Sequence, residues 1–253
     1  MADQDQIQFR ISTDSGHRQY LCNGKRLPSV TTVLGNTETE KSKKALAQWI
    51  KNNPDQSGKA AIRGTAIHEA CENFIRGKPI NIPEEYAAFW NGMDEYLAWF
   101  DHIIWSERPL LPEWQHLKTP DGDLAFVWSE EHGYAGTPDL LGTIGGVNVI
   151  ADYKTSNGCY RTSFPKRGDR QGFGGYRKFM KVSQQLAAYR LAMAERTGWK
   201  ADVGLVIVST EETTQGIFID THQMDLAESR FLRRCEQYHA MYTDNDFEAK
   251  GLS

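Results

Sequence analysis

Between residues 36 and 106 the apolar positions mostly recur every three or four residues, the spacing of helices that bury one face. Beyond residue 120 they alternate or run together, as in the strands of a buried sheet. The pattern predicts a short antiparallel start, with strands at 8–11 and 18–22 and a turn signal at Asn23-Gly24. Helices follow at about 40–51, which Asn53-Pro54 should end, and at 59–75. A longer helix is expected over 84–104, where Tyr86, Phe89, Trp90, Met93, Leu97, Phe100 and Ile104 form one packing stripe. After a proline-containing stretch at 109–120, strands are expected at 124–129, 135–141 and 147–153, the last two separated by Gly145-Gly146. A helix at 184–196, strands at 203–209 and 216–220 and a closing helix at 224–241 complete the order. The layering is α/β, a mixed sheet flanked by helices after a helical N-terminal portion. We expect one domain over 1–253, predominantly helical at 36–106 and with a sheet-and-helix core at 121–241.

Composition narrows this picture only a little. With 40% hydrophobic and 25% charged residues in 253, the chain can bury a sizeable core and does not read as disordered. A net charge of -4 argues against a basic nucleic-acid coat, but not against a local basic patch. Cys22, Cys71, Cys159 and Cys235 form no CxxC pair and no zinc-ribbon spacing, so thiols in a reducing compartment are expected. The N-terminus lacks the pattern of a secretory signal, and no apolar run is long enough to cross a bilayer. A soluble, intracellular protein is the expectation, with a mitochondrial presequence poorly supported.

Candidate chemistry concentrates where the strands end. Asp139 lies towards the end of one expected strand, and Asp152 and Lys154 end the next. Residues two apart on a strand share a face, so Asp152 and Lys154 project together, and a neighbouring strand can bring Asp139 opposite. Two carboxylates suit a hard divalent cation, and a lysine beside them can orient water or stabilise a charged transition state. Any one Asp-x-Lys could be an ordinary strand end. The apolar run Val147, Val149 and Ile150 leading into this one makes a buried acid and lysine need a reason.

Two helices add polar pairs one turn apart, His68 with Glu72 and Gln185 with Tyr189, each of which could be a plain surface contact. Between 160 and 181, Arg161, Lys166, Arg167, Arg170, Arg177, Lys178 and Lys181 face a single acid, Asp169. They are interleaved with Tyr160, Phe164, Phe173, Tyr176 and Phe179, a composition that suits a single strand of nucleic acid. Three glycines there suggest a loop that could close over such a strand.

Taken together, Pro138-Asp139, Asp152-Tyr153-Lys154-Thr155, Gly64 to His68, Gln185 to Tyr189 and Pro28 to Thr31 resemble the PD-(D/E)XK nuclease superfamily. The resemblance is nearest to its RecB-like, Cas4-like branch, among phage exonucleases and the mitochondrial genome maintenance exonuclease. The blocks occur in the family's order. The resemblance implies a restriction-endonuclease-like fold and a metal-dependent DNA exonuclease acting in replication, recombination or repair. It implies one or two Mg²⁺ or Mn²⁺ ions held by His68, Asp139, Asp152 and the Tyr153 carbonyl, with Lys154 assisting the attacking water. Glu72 is expected to orient the His68 ring. Gln185 is implied to lie near the reacting centre and Tyr189 to position DNA, although Gln184 leaves that register open.

Relatives often carry a glutamate on the strand before the Pro-Asp strand. Residues 121–129 have none, so Asp123, Glu130 or Glu131 replaces it, or the position is dispensable. Cas4 relatives group three cysteines near the C-terminus where only Cys235 stands here, so no iron–sulfur cluster is expected. No Walker A run is present, so helicase or ATPase work would belong to a partner. The expected partners are single-stranded DNA and a replication or recombination protein, with no membrane. The expected place is the cytoplasm or nucleoid, the host's if the protein is phage-encoded. A flap or branch endonuclease and a non-catalytic DNA-binding module are the alternatives, and polarity and oligomeric state stay open.

Overall fold

The computed structural model describes residues 7–12, 18–120, 122 and 124–242. A small antiparallel sheet of β1 (Ile7–Ser12), β2 (Arg18–Cys22) and β3 (Lys25–Pro28) opens the fold. The β2–β3 turn places Asn23 and Gly24 at positive φ, as the Asn-Gly signal predicts. Three helices follow, α1 (Val30–Asn36), α2 (Glu40–Asn52) and α3 (Pro54–Ile75). Ser29 caps α1 by accepting from Thr32 N, and Pro54 starts α3 at a position whose N–H needs no partner.

The expected helix over 84–104 is not one helix. A 3-10 segment, Glu84–Trp90, is followed by the short α4 (Met93–Leu97) and then by strand β4 (His102–Ser106). Gly92 at φ 79 breaks the helix between the first two. The stripe remains core packing in part, since Phe89, Met93, Leu97 and Phe100 share one buried cluster. It simply ran on, in sequence, into the strand residues Ile103 and Ile104. A two-residue β5 (Arg108–Pro109) and a 3-10 turn at Pro112–Leu117 lead to β6 (Val127–Ser129) and β7 (Tyr134–Gly136).

The expected strand at 135–141 is also divided. β7 pairs with β6 in a two-stranded sheet, whereas β8 (Leu140–Ile144) enters the central sheet beside β9 (Val147–Thr155). The break falls at Thr137 to Asp139. Next come α5 (Arg170–Thr197), β10 (Val203–Ser209), β11 (Thr214–Ile219) and α6 (Thr221–Met241). α5 begins fourteen residues before the expected helix start, so the second half of the basic 160–181 stretch is helix rather than loop. Its glycines conceal the helical signal, and Gly175 has a packing reason. A Cβ there would lie 2.8 Å from the Cys159 carbonyl oxygen, so only glycine lets the 159–161 segment pass so close.

The central sheet runs β11-β10-β9-β8-β4-β5, with β9 and β10 parallel and the other neighbours antiparallel. α5 makes the crossover between the parallel strands. Alternation along β9 and β10 divides the core in two. Ile150, Val206 and Val208 pack with Leu186 and Ala187 of α5 and Phe231 of α6. Val149, Ala151, Tyr153, Leu205 and Ile207 pack with Ile67 and Cys71 of α3 and with Phe89, Met93 and Leu97. The result is the expected mixed sheet flanked by helices, and the ends of β8 and β9 lie between α3 and α5. Among the described residues no helix is long and apolar enough to cross a membrane.

Candidate active site

β9 is buried over Val149 to Tyr153 and brings Asp152 and Lys154 out on the α5 side of the sheet. The two form an ion pair. β8 starts only at Leu140, opposite Ala151, so no β8 carbonyl meets the Tyr153 N–H. The Asp139 carboxylate takes that donor through Oδ2 at 3.0 Å, which anchors its side chain at the end of the sheet. The Trp105 indole N–H donates to the Pro138 carbonyl at 2.8 Å and holds the preceding residue.

α3 contributes His68. Ile67 and Cys71 bury the adjacent helix face against the sheet, which aims the imidazole at the strand ends. Its Nε2 lies 3.1 Å from the Tyr153 carbonyl oxygen and its Nδ1 3.1 Å from Glu107 Oε1, with Asp139 Oδ2 3.9 Å from Nδ1. With an acceptor at each nitrogen the ring carries both protons. Burial works against that charge, but the Asp139 and Glu107 carboxylates outweigh it and raise the pKa to about 9. A cation bound by this ring would take the place of one proton.

Glu107, which no motif in the sequence singled out, joins this group. It lies between β4 and β5, and His68, Glu107 and Asp139 bring one ligand atom each within 4.8 Å of one another. The sheet neighbour of β8 on the side away from β9 is β4, not the 124–129 segment, and Glu107 follows the end of β4. Glu130 instead accepts from Asn23 and the Trp128 indole, and Glu131 faces His132. Asp123 lies outside the described residues. The signal that could have found Glu107 is its neighbourhood, a β-branched and aromatic run, Ile103 to Trp105, stopped by Arg108-Pro109.

Glu107 sits at φ 55, a left-handed conformation that costs a non-glycine residue about 1–2 kcal/mol. Several contacts hold it there. Its N–H donates to the Asp139 carbonyl at 2.9 Å, and the Arg76 guanidinium donates to the Ser106 carbonyl at 3.3 Å. Glu72 pairs with Arg76 at 2.9 Å and with Arg108 at 2.7 Å, bracing the residues on either side. Glu72, expected to orient His68, pairs with these two arginines, and Glu107 takes the imidazole instead.

A cavity of about 810 Å³ opens over this centre. His68, Glu107, Asp139, Lys154, Lys178, Lys181, Gln185 and Tyr189 all line it. Gln185 Nε2 donates to the Tyr189 hydroxyl at 3.4 Å, one turn along α5. The Tyr189 ring lies so close to Gly136 that a Cβ there would run into it. Of the basic stretch, Lys178 and Lys181 reach this cavity. Arg161 lines a separate, polar one of about 560 Å³ with Asn157, Gln171 and Glu211. Arg177 pairs with Glu38 at 3.0 Å, and Lys166, Arg167 and Arg170 are exposed and line neither cavity.

The donor set of two carboxylates and an imidazole fits a divalent cation. Burial raises the pKa of both Asp139 and Asp152, the latter to about 6 even with Lys154 beside it, so a further positive charge would be favoured here. Asp152 Oδ1 is buried and accepts no hydrogen bond. Lys154 is tuned the other way. Burial lowers its pKa, but the Asp152 and Asp139 carboxylates more than compensate, so it stays an ammonium group.

Comparison with known proteins gives a family. The profile of the PD-(D/E)XK nuclease superfamily matches residues 42–251. No curated protein matches the sequence. Among solved structures, one described as "Putative exonuclease" from Eubacterium rectale is similar at 14% identity, with a TM-score of 0.36. That similarity covers 82% of this chain and 66% of the other, so the chain spans just under two thirds of that protein.

Proposed function

The chain belongs to the PD-(D/E)XK nuclease superfamily, and we propose that it is a divalent-metal-dependent DNA exonuclease acting on single-stranded or frayed ends. Nucleases of this superfamily use divalent metal ions, and their substrate is DNA. The observation that carries the reading is the meeting of His68, Glu107 and Asp139 with Lys154 in the wall of one cavity, Asp152 buried behind the lysine. A role in replication, recombination or repair, and a place in the RecB-like branch, belong to the same proposal.

In this reading His68, Glu107 and Asp139 hold Mg²⁺ or Mn²⁺, with the Asp152–Lys154 pair beside them on β9. The ion, when bound, supplies a Lewis acid and lowers the pKa of water. Lys154 acts from its place beside Asp152. It donates hydrogen bonds to the attacking water or to a phosphoryl oxygen, where negative charge grows. Lys178 and Lys181 neutralise flanking phosphates, and Gln185 and Tyr189 border the position of the reacting nucleotide. Attack in line with the departing 3′ oxygen leaves a 5′-phosphate.

The test is cleavage of end-labelled linear single-stranded DNA with Mg²⁺ or Mn²⁺, beside the same strand circularised and a Lys154→Ala control. Cutting of the linear strand alone is expected, and the label then reports polarity. Cutting of the circle as well would replace the exonuclease with an endonuclease. Wild-type inactivity on both strands, and on duplex and flap DNA, would leave a binding module.

A further inference from the structure

Outside the cavity, the least explained element is α2. None of its thirteen residues is buried, and every residue from 44 to 52 is exposed. Yet it is amphipathic. Leu46, Trp49 and Ile50 are 58%, 43% and 42% exposed, and Ile62 of α3 is 60% exposed. A helix this short gains little from intrinsic propensity, so an apolar stripe turned to solvent calls for a partner.

Charge and position indicate which partner. Residues 40–62 carry five lysines against two acids in a chain whose net charge is -4, and Lys41, Lys44, Lys51 and Lys59 are exposed. Ser42, Leu46 and Trp49 stand four and three residues apart and therefore share one helix face. Ser42 starts that stripe, and its hydroxyl accepts from Arg177 of α5 at 2.9 Å, next to Lys178 at the cavity wall. On the other side, Ala60 and Ala61 of α3 line the same cavity. The stripe thus runs outward from the rim of the site.

We infer that the exposed face of α2, with Trp49 at its centre and lysines around it, is a second contact for a single DNA strand outside the cavity. The inference rests on the nuclease reading above. Phosphates meet the lysines, while open base faces stack on Trp49 and cover Leu46 and Ile50. Duplex DNA keeps its base faces stacked inside, so it would use the lysines alone.

The experiment measures binding of fluorescein-labelled oligothymidine by anisotropy, in EDTA so that nothing is cut, for the full chain and for Trp49→Ala and Trp49→Phe. Since base stacking on an aromatic contributes at least one tenfold step in many cases, Trp49→Ala is expected to weaken single-strand binding by about tenfold. Trp49→Phe should restore most of it, and duplex binding should change little. Hydrolysis of bis-p-nitrophenyl phosphate with Mn²⁺ should equal wild type, since that substrate ends inside the cavity. Unchanged oligothymidine affinity in Trp49→Ala overturns the inference, as does a loss of self-association with DNA affinity intact, which would assign the face to a second copy of the chain. A wild type that neither binds oligothymidine nor hydrolyses either substrate would remove the nuclease reading itself, and the inference with it.

Discussion

The two halves of the candidate centre are built differently. Asp152 and Lys154 are two residues apart on β9, and strand periodicity alone puts them side by side. His68, Glu107 and Asp139 come from a helix, a turn after an antiparallel strand and the residue before another strand. Only the stacking of α3 on the sheet and the β4–β8 pairing bring them together. The first half is a local property that survives small shifts in packing. The second depends on three elements meeting within hydrogen-bond range, and the structure spends further side chains on it: Glu72, Arg76 and Arg108 brace the turn that carries Glu107.

That contrast can be broken at its strongest point first. Lys154→Ala should lower DNA turnover about a thousandfold, the size of effect seen when a preorganised transition-state donor is removed. Circular dichroism and thermal unfolding should show the fold retained; turnover near wild type would end the assigned role. On the assembled side, Glu107→Gln should weaken Mn²⁺ binding about 100-fold, at or beyond the top of the range for residues that merely support ligands. Calorimetric titration reads this directly, and an unchanged affinity would remove Glu107 from the cation site.

Glu72→Ala sharpens the comparison because it touches neither half. About a tenfold loss of Mn²⁺ affinity is expected, with little change in melting temperature, if the brace positions Glu107. An unaltered titration would reduce the Glu72 cluster to an ordinary surface network. The smallest effect should come from Lys178→Ala at the cavity wall. The slope of log binding constant against log salt for single-stranded DNA should become shallower by about 0.7, one phosphate contact. A slope equal to wild type would place Lys178 off the strand path.

Legibility in the sequence followed the same division. The apolar run into Asp152 announced β9, and the strand at 203–209 and the Asn-Gly and Gly-Gly turns were readable because their signals are local. Glu107 was not, because Ile103 and Ile104 extend in sequence a stripe that belongs to a 3-10 turn and a short helix. Periodicity cannot distinguish a helix from a helix followed by a strand when the apolar spacing happens to continue. The early start of α5 was hidden by Gly172, Gly174 and Gly175, residues poor in helix propensity. Gly175 is kept there by the approach of the Cys159 carbonyl, a contact from elsewhere in the chain.

By itself, then, the sequence determined the α/β layering, the strand that carries Asp152 and Lys154, and the helices that carry His68, Gln185 and Tyr189. These follow from side-chain period and turn chemistry, which act over a few residues. Tertiary structure decided that Glu107 meets His68 and Asp139, that Glu72 pairs with Arg76 and Arg108, and that only Lys178 and Lys181 of the basic stretch reach the cavity. Those outcomes depend on which strands pair and which helix faces meet, and such distances between residues far apart in the chain are set only when the core packs.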